Sequence, residues 1–331
     1  MKMIVLAMAF LTSANAISAM TAEGKSAIRD GAVGKYVYRV VDDEGTPVSN
    51  ATAHVWFSSY GRHQDKADWV LNTDSNGVFV AEHRFNKRFC VGIDKEGYYH
   101  SHDELNYLAM SELPVKDGKW QPFGATREVV LKRIKNPIYL SASEGLKYYK
   151  YPPQGKWTGF DLCKRDWVYP DGSGEFSDVA IRIDREATSE GYVKTMEVAF
   201  TNNPFAGAYE MTADVYSDLK SSYEANTNAS YSGVYKYVFK KGKGGNERSE
   251  LAEDRYLVFR TRTKVDAHGN LKSAHYGMIF GNWRFCEKGG MAIEKIVFNP
   301  TPDDTNLECA ETARRSRVDY EQSFKQEKRW K

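Results

Sequence analysis

From Gly34 onward, apolar and polar residues alternate in short runs, and the runs are punctuated by glycine, proline and asparagine. In YVYRVVD, Tyr36, Tyr38 and Val40 share one face, and in ATAHVWF, Ala53, Val55 and Phe57 do the same. SNGVFVAEHRF groups Phe79, Ala81 and Phe85, RFCVGI groups Phe89, Val91 and Ile93, and REVVLKRI closes the set. Side chains two apart on an extended chain point the same way, so each run predicts a strand with one buried face. The turns between them predict antiparallel pairing, with Gly77 supplying the positive φ of a tight turn after Asn76. The pattern returns in DVAIRI (Val179, Ile181, Ile183), KTMEVAF (Met196, Val198, Phe200), RYLVFRTRTKV (Leu257, Phe259, Val265), HYGMIFGNWRF and MAIEKIVF. The chain is therefore expected to be all-β, with two β-sandwich domains over 34–134 and 159–308. Residues 135–158, which carry Pro152-Pro153, read as a linker, and 309–331 as a charged tail, a solvated helix or a frayed end, with a surface-anchoring basic tail as the alternative.

The first residues, MKMIVLAMAFLTSANA, combine Lys2, an apolar stretch over Ile4–Leu11 and an Ala14-Asn15-Ala16 cleavage signal. That predicts a secretory signal peptide over 1–16 and a secreted or periplasmic protein. No later stretch approaches the roughly 20 apolar residues of a membrane helix, so no transmembrane segment is expected. A net charge of +2 leaves no electrostatic footprint for nucleic acid. The four cysteines, Cys90, Cys163, Cys286 and Cys309, would meet an oxidising compartment. Three of them fall in the second domain and its end, so they cannot all pair among themselves. Cys163 and Cys309 lie near the two ends of that domain, where sandwich termini often run close together, and a Cys163–Cys309 bridge is expected.

VVDDEGTPVSNATAHV, TDSNGVF, VGIDKEGYY and REVVLKRI, in that order, resemble the carboxypeptidase regulatory-like domain. The matching points are the Gly45-Thr46-Pro47-Val48 turn, the Asp74/Asn76-Gly77 turn before Phe79 and the Lys95-Glu96-Gly97-Tyr98 close. The resemblance implies a prealbumin-like, Ig-like sandwich grouped with carbohydrate-binding folds, and a non-catalytic role beside secreted enzymes, transporters or adhesins. This chain departs from the family between Tyr99 and Thr126, where HSHDELNYLAMSELPVKDGKWQPFGA is expected to form a short helix and a loop. The second domain resembles exported bacterial proteins of unknown function.

His100-x-His102, followed by Asp103 and Glu104, is the best metal-like spacing, since residues two apart on a strand can reach one ion. Two histidines at a strand end are more commonly solvated, so neither a metal nor any other cofactor is expected. There is no G-x-S-x-G stretch, and the glycine-rich KKGKGGNE lacks the G-K-S/T ending of a phosphate loop. Flat rings can stack on the apolar face of a sugar, which makes Trp56, Trp69 and Trp120 the candidate ligand platform. The expected function is an exported, non-catalytic binding or envelope-associated module, with a polysaccharide or other envelope component as partner. The alternative is an enzyme accessory or an uncharacterised hydrolase with its site in the second domain.

Overall fold

The computed structural model describes residues 21–316, apart from 59–66, 108–109, 111–112, 144–146, 151–152, 202–203, 244, 249–253, 282 and 287–289. The expected signal peptide and most of the expected tail lie outside the described residues. No described helix is long and apolar enough to cross a membrane. The chain is all-β and divides into two compact units. The first runs to Arg133 and adds Tyr216–Asp218 and Ser316; the second takes Ile134–Val215 and Leu219–Arg315.

The first unit opens with a helix, α1 (Ala22–Asp30), capped by Thr21, whose hydroxyl accepts from the Gly24 amide at 3.0 Å. Nine strands follow: β1 (Ala32–Asp42), β2 (Thr52–Ser58), β3 (Ala67–Asn72), β4 (Val78–Phe85), β5 (Arg88–Asp94), β6 (Ser101–Asn106), β7 (Val115–Lys116), β8 (Lys119–Trp120) and β9 (Ala125–Leu131). One sheet runs β4-β1-β8-β7, with β9 pairing β1 in parallel; the other is antiparallel, in the order β3-β2-β5-β6. The alternating residues of β1, β2, β4 and β5 meet between the two sheets, with Val129 and Leu131 of β9, in one buried core. This is a β-sandwich. The turn before β4 needs Gly77, at φ 73°, because a Cβ there would lie 2.4 Å from the Val40 carbonyl oxygen. Of the short helix expected after Tyr99, Tyr107 lies in a 3-10 turn and 108–109 and 111–112 fall outside the described residues; the rest of the stretch builds β6 and the β7–β8 hairpin. A segment from far along the chain joins the β6 edge. The His102 amide donates to the Tyr216 carbonyl at 2.7 Å, and the Asp218 amide to the His100 carbonyl at 2.9 Å.

The second unit holds β10 (Ser141–Ala142), β11 (Lys147–Lys150), β12 (Thr158–Asp161), β13 (Asp166–Trp167), β14 (Val179–Thr188), β15 (Gly191–Phe200), β16 (Gly207–Thr212), β17 (Val234–Gly242), β18 (Gly245–Arg248), β19 (Arg255–Val265), β20 (Leu271–Phe280), β21 (Arg284–Cys286), β22 (Gly290–Ile293) and β23 (Lys295–Phe298). They form sheets in the orders β13-β12-β14-β15-β17-β18, β10-β23-β20-β19-β16 and β11-β22-β21. The main core joins Val179, Ile181, Met196 and Val198 to Leu257, Phe259, Ile279, Ile296 and Phe298. The β19–β20–β23 sheet is buried on its other face as well, where Tyr256, Val258, Met278 and Val297 pack with Leu140, Leu307 and Cys309.

Several expectations are corrected here. The 135–158 stretch is not a free linker: β10 pairs β23, β11 pairs β22, and the Lys135 and Asn136 amides donate to the buried Glu308 carboxylate at 2.8 and 2.6 Å. Residues 309–316 are likewise built in, with Cys309 pairing Ile138 and a helix over 310–316. Val265 does not join Leu257 and Phe259, because register shifts between Thr261 and Val265 turn it outward. Cys163 and Cys309 carry free thiols. Cys163 packs on the main core and Cys309 in the second, and no bridge joins them.

Candidate ligand-binding face

Burying Ala53, Val55 and Phe57 turns His54 and Trp56 of β2 to the outer face of the β3-β2-β5-β6 sheet. Register then sets their neighbours. His54 lies opposite Val70 and Gly92, and Gly92 opposite His102; Trp56 lies opposite Asp68 and Cys90, and Cys90 opposite Glu104. Two rows therefore cross the face, Val70–His54–Gly92–His102 and Asp68–Trp56–Cys90–Glu104. Trp56 is 43% exposed. Cys90 also points outward but is covered, and burial, reinforced by the charge of Glu104, pushes its thiol up to about 12. It is no thiolate nucleophile near neutral pH.

Gly92 leaves a gap in the first row that the His100 ring fills. A Cβ on Gly92 would lie 2.9 Å from His100 Cε1. Held there, His100 Nδ1 is hydrogen-bonded to Asp94 Oδ1 at 2.8 Å, and the His100 and His102 rings lie nearly parallel with centroids 6.4 Å apart. His54 Nε2 stands 3.9 Å from Asp94 Oδ2. Among the described residues, no group of three or more His, Cys, Asp or Glu side chains is arranged to hold a metal ion.

The three tryptophans do not form a strip. Trp69 alternates to the inner side of β3 and packs edge-on against Phe57 and His83, at 5.3 and 4.8 Å. Trp120 is fully buried; its indole N–H donates to the Phe85 carbonyl at 3.0 Å and its ring stacks on Tyr107 at 4.2 Å. Only Trp56 of the three faces outward. Sequence reasoning missed His54 and Asp94, although the alternation that placed Trp56 outward placed His54 on the same face.

Two further polar clusters are spent on structure. Between the sheets of the first unit, the Tyr38 hydroxyl donates to Asp103 at 2.7 Å and Arg127 grips the same carboxylate through Nε and Nη2. Burial, with the Asp103 charge, holds the Tyr38 hydroxyl far above the usual tyrosine range. In the second unit, Arg262 bridges Asp161 and Asp178 with bonds of 2.9–3.0 Å and lies between the rings of Phe176 and Phe298. Asp161 also accepts amides from Cys163, Lys164, Glu175 and Phe176, and Asp178 accepts from Leu162 and the Thr261 hydroxyl. Carboxylates so fully bonded have little capacity left for a substrate.

No family model and no curated protein matches the chain. Among solved structures it is similar to 3-chlorocatechol 1,2-dioxygenase from Rhodococcus opacus 1CP, at 15% identity over 32% of this chain and 62% of that one, with a TM-score of 0.26. It is similar also to chlorocatechol 1,2-dioxygenase from Pseudomonas putida (14% identity, 31% and 61% covered, TM-score 0.26). A third is catechol 1,2-dioxygenase from Pseudomonas arvilla C-1 (14% identity, 33% and 54% covered, TM-score 0.24). The chain thus spans from about half to three fifths of the length of these structures. At TM-scores this low, the likeness carries no argument about fold or chemistry.

Proposed function

We propose that this chain is an exported, non-catalytic binding module that takes carbohydrate on the outer face of its first unit. The observation that carries the reading is Trp56, 43% exposed on that face, with Asp68 opposite it in register and Glu104 one strand beyond Cys90 in the same row. An exposed indole accepts the apolar face of a sugar ring, and nearby carboxylates accept hydrogen bonds from its hydroxyls. The sequence resemblance to carboxypeptidase regulatory-like domains supports the same class of ligand and an envelope-associated role. The signal-like first sixteen residues support secretion or a periplasmic location.

A glycan array probed with the untagged protein, and with Trp56→Ala beside it, tests this. We expect binding to one family of glycans and a loss of roughly two- to tenfold in the variant, the scale of about 0.5–1.5 kcal/mol for one aromatic contact. Binding unweakened by Trp56→Ala would move the site off this face. Hydrolysis of the bound glycan by the wild-type protein would favour a hydrolase instead.

A further inference from the structure

The outer face also carries an unexplained polar atom. His54 Nε2 is buried and has no hydrogen-bond partner, although the residue belongs to an exposed sheet face. Its nearest charged neighbour is Asp94 Oδ2 at 3.9 Å, too far for a hydrogen bond. Asp94 is 3% exposed, and its other oxygen is held by His100 Nδ1 at 2.8 Å. Leaving a buried imidazole nitrogen unsatisfied 3.9 Å from a buried carboxylate oxygen is costly, and such groups in native proteins are satisfied by water or by an ion.

The span suits an ion. Zinc sits about 2.0–2.1 Å from an imidazole nitrogen and about 2.0–2.2 Å from a carboxylate oxygen, so a 3.9 Å separation admits one metal between the two at a wide angle. We propose that His54 Nε2 and Asp94 Oδ2 are the two protein donors of a divalent transition-metal site, completed by water. His100 is its positioning residue: it holds the free end of the carboxylate as outer partners do at metal centres. The imidazole donor selects zinc, copper or nickel over calcium and magnesium. With two protein donors the site is a weak one, and it does not need the three-residue cluster that is missing here. It also differs from the His100-x-His102 pair suggested by spacing, since His102 is exposed and His100 Nδ1 is bonded to Asp94. Its two donors do not include Trp56.

Thermal melting of the untagged full chain with zinc chloride, and then with EDTA, tests the assignment. Zinc well above its Kd raises the melting temperature by a few degrees, and EDTA reverses the rise. His54→Ala abolishes the rise, while His102→Ala and Trp56→Ala keep it. His54→Gln, which preserves side-chain volume, serves as the second variant should the alanine protein fold poorly, and far-UV circular dichroism checks both. The proposal is overturned if zinc has no effect on the wild type, which would leave only water at His54 Nε2. It is overturned equally if the shift survives His54 replacement but disappears in the His100→Ala, His102→Ala double variant.

Discussion

Asp178→Ala lowers the stability of the second unit by about 3–5 kcal/mol, the cost of leaving one partner of a buried ion pair uncompensated. Asp178 has no exposed surface and takes four hydrogen bonds within 3.0 Å, from Leu162, Thr261 and, twice, Arg262. Removing it strands the Arg262 guanidinium, which lies against the rings of Phe176 and Phe298 with only 18% of its side chain exposed. Asp184→Ala is the contrast: its carboxylate is 47% exposed and pairs with Arg182, so the effect stays within about 1 kcal/mol. Urea denaturation of both variants measures the difference. The same network predicts acid sensitivity. Burial alone would raise the Asp161 pKa, but the Lys164, Phe176 and Glu175 amides and the Arg262 charge outweigh it and hold the carboxyl below its ordinary range. A depressed folded pKa gives stability that is present above the unfolded value, about 3.9, and is lost as pH falls through the folded value. Asp161→Asn should therefore be less stable than wild type at pH 7, with the gap narrowing below about pH 4.

Trp120→Ala costs the first unit about 3–5 kcal/mol, as for other fully buried tryptophans. The loss combines the cavity beside Tyr107 and Phe85 with the Phe85 carbonyl left without its indole donor. Trp120→Phe recovers much of the packing but not the hydrogen bond. Trp56→Ala, on the outer face, changes stability by less than about 1 kcal/mol while weakening glycan binding. Melting curves for the three variants separate a core tryptophan from a surface one, a distinction that residue type alone does not make.

The inner faces of β1, β2, β4 and β5 were legible because a single period of two decides them, and one core takes all four. The gaps lie where pairing partners are far apart in sequence. Nothing in HSHD announces that Gly92 makes room for the His100 ring, or that His54 ends beside Asp94; both follow from which strands become neighbours. Tyr216–Asp218 meets β6 across more than a hundred residues. The helix α1 carried a legible signal, Thr21 before AEGKSAIRD with Gly31 after it, masked by its short length. RYLVFR, a continuous apolar run, marks a strand buried on both faces, and Tyr256 and Val258 do pack opposite Leu257 and Phe259. Reading only one face there hid the second core and, with it, the separation of Cys163 from Cys309.

The most direct measurement is backbone amide chemical-shift mapping during titration with the best glycan from the array. Binding on the outer face of the first unit predicts perturbations centred on His54, Trp56, Asp68, Cys90 and Glu104, with Trp120 and the Asp161–Asp178–Arg262 network unmoved. Perturbations gathered in the second unit, with those five amides silent, would contradict the account.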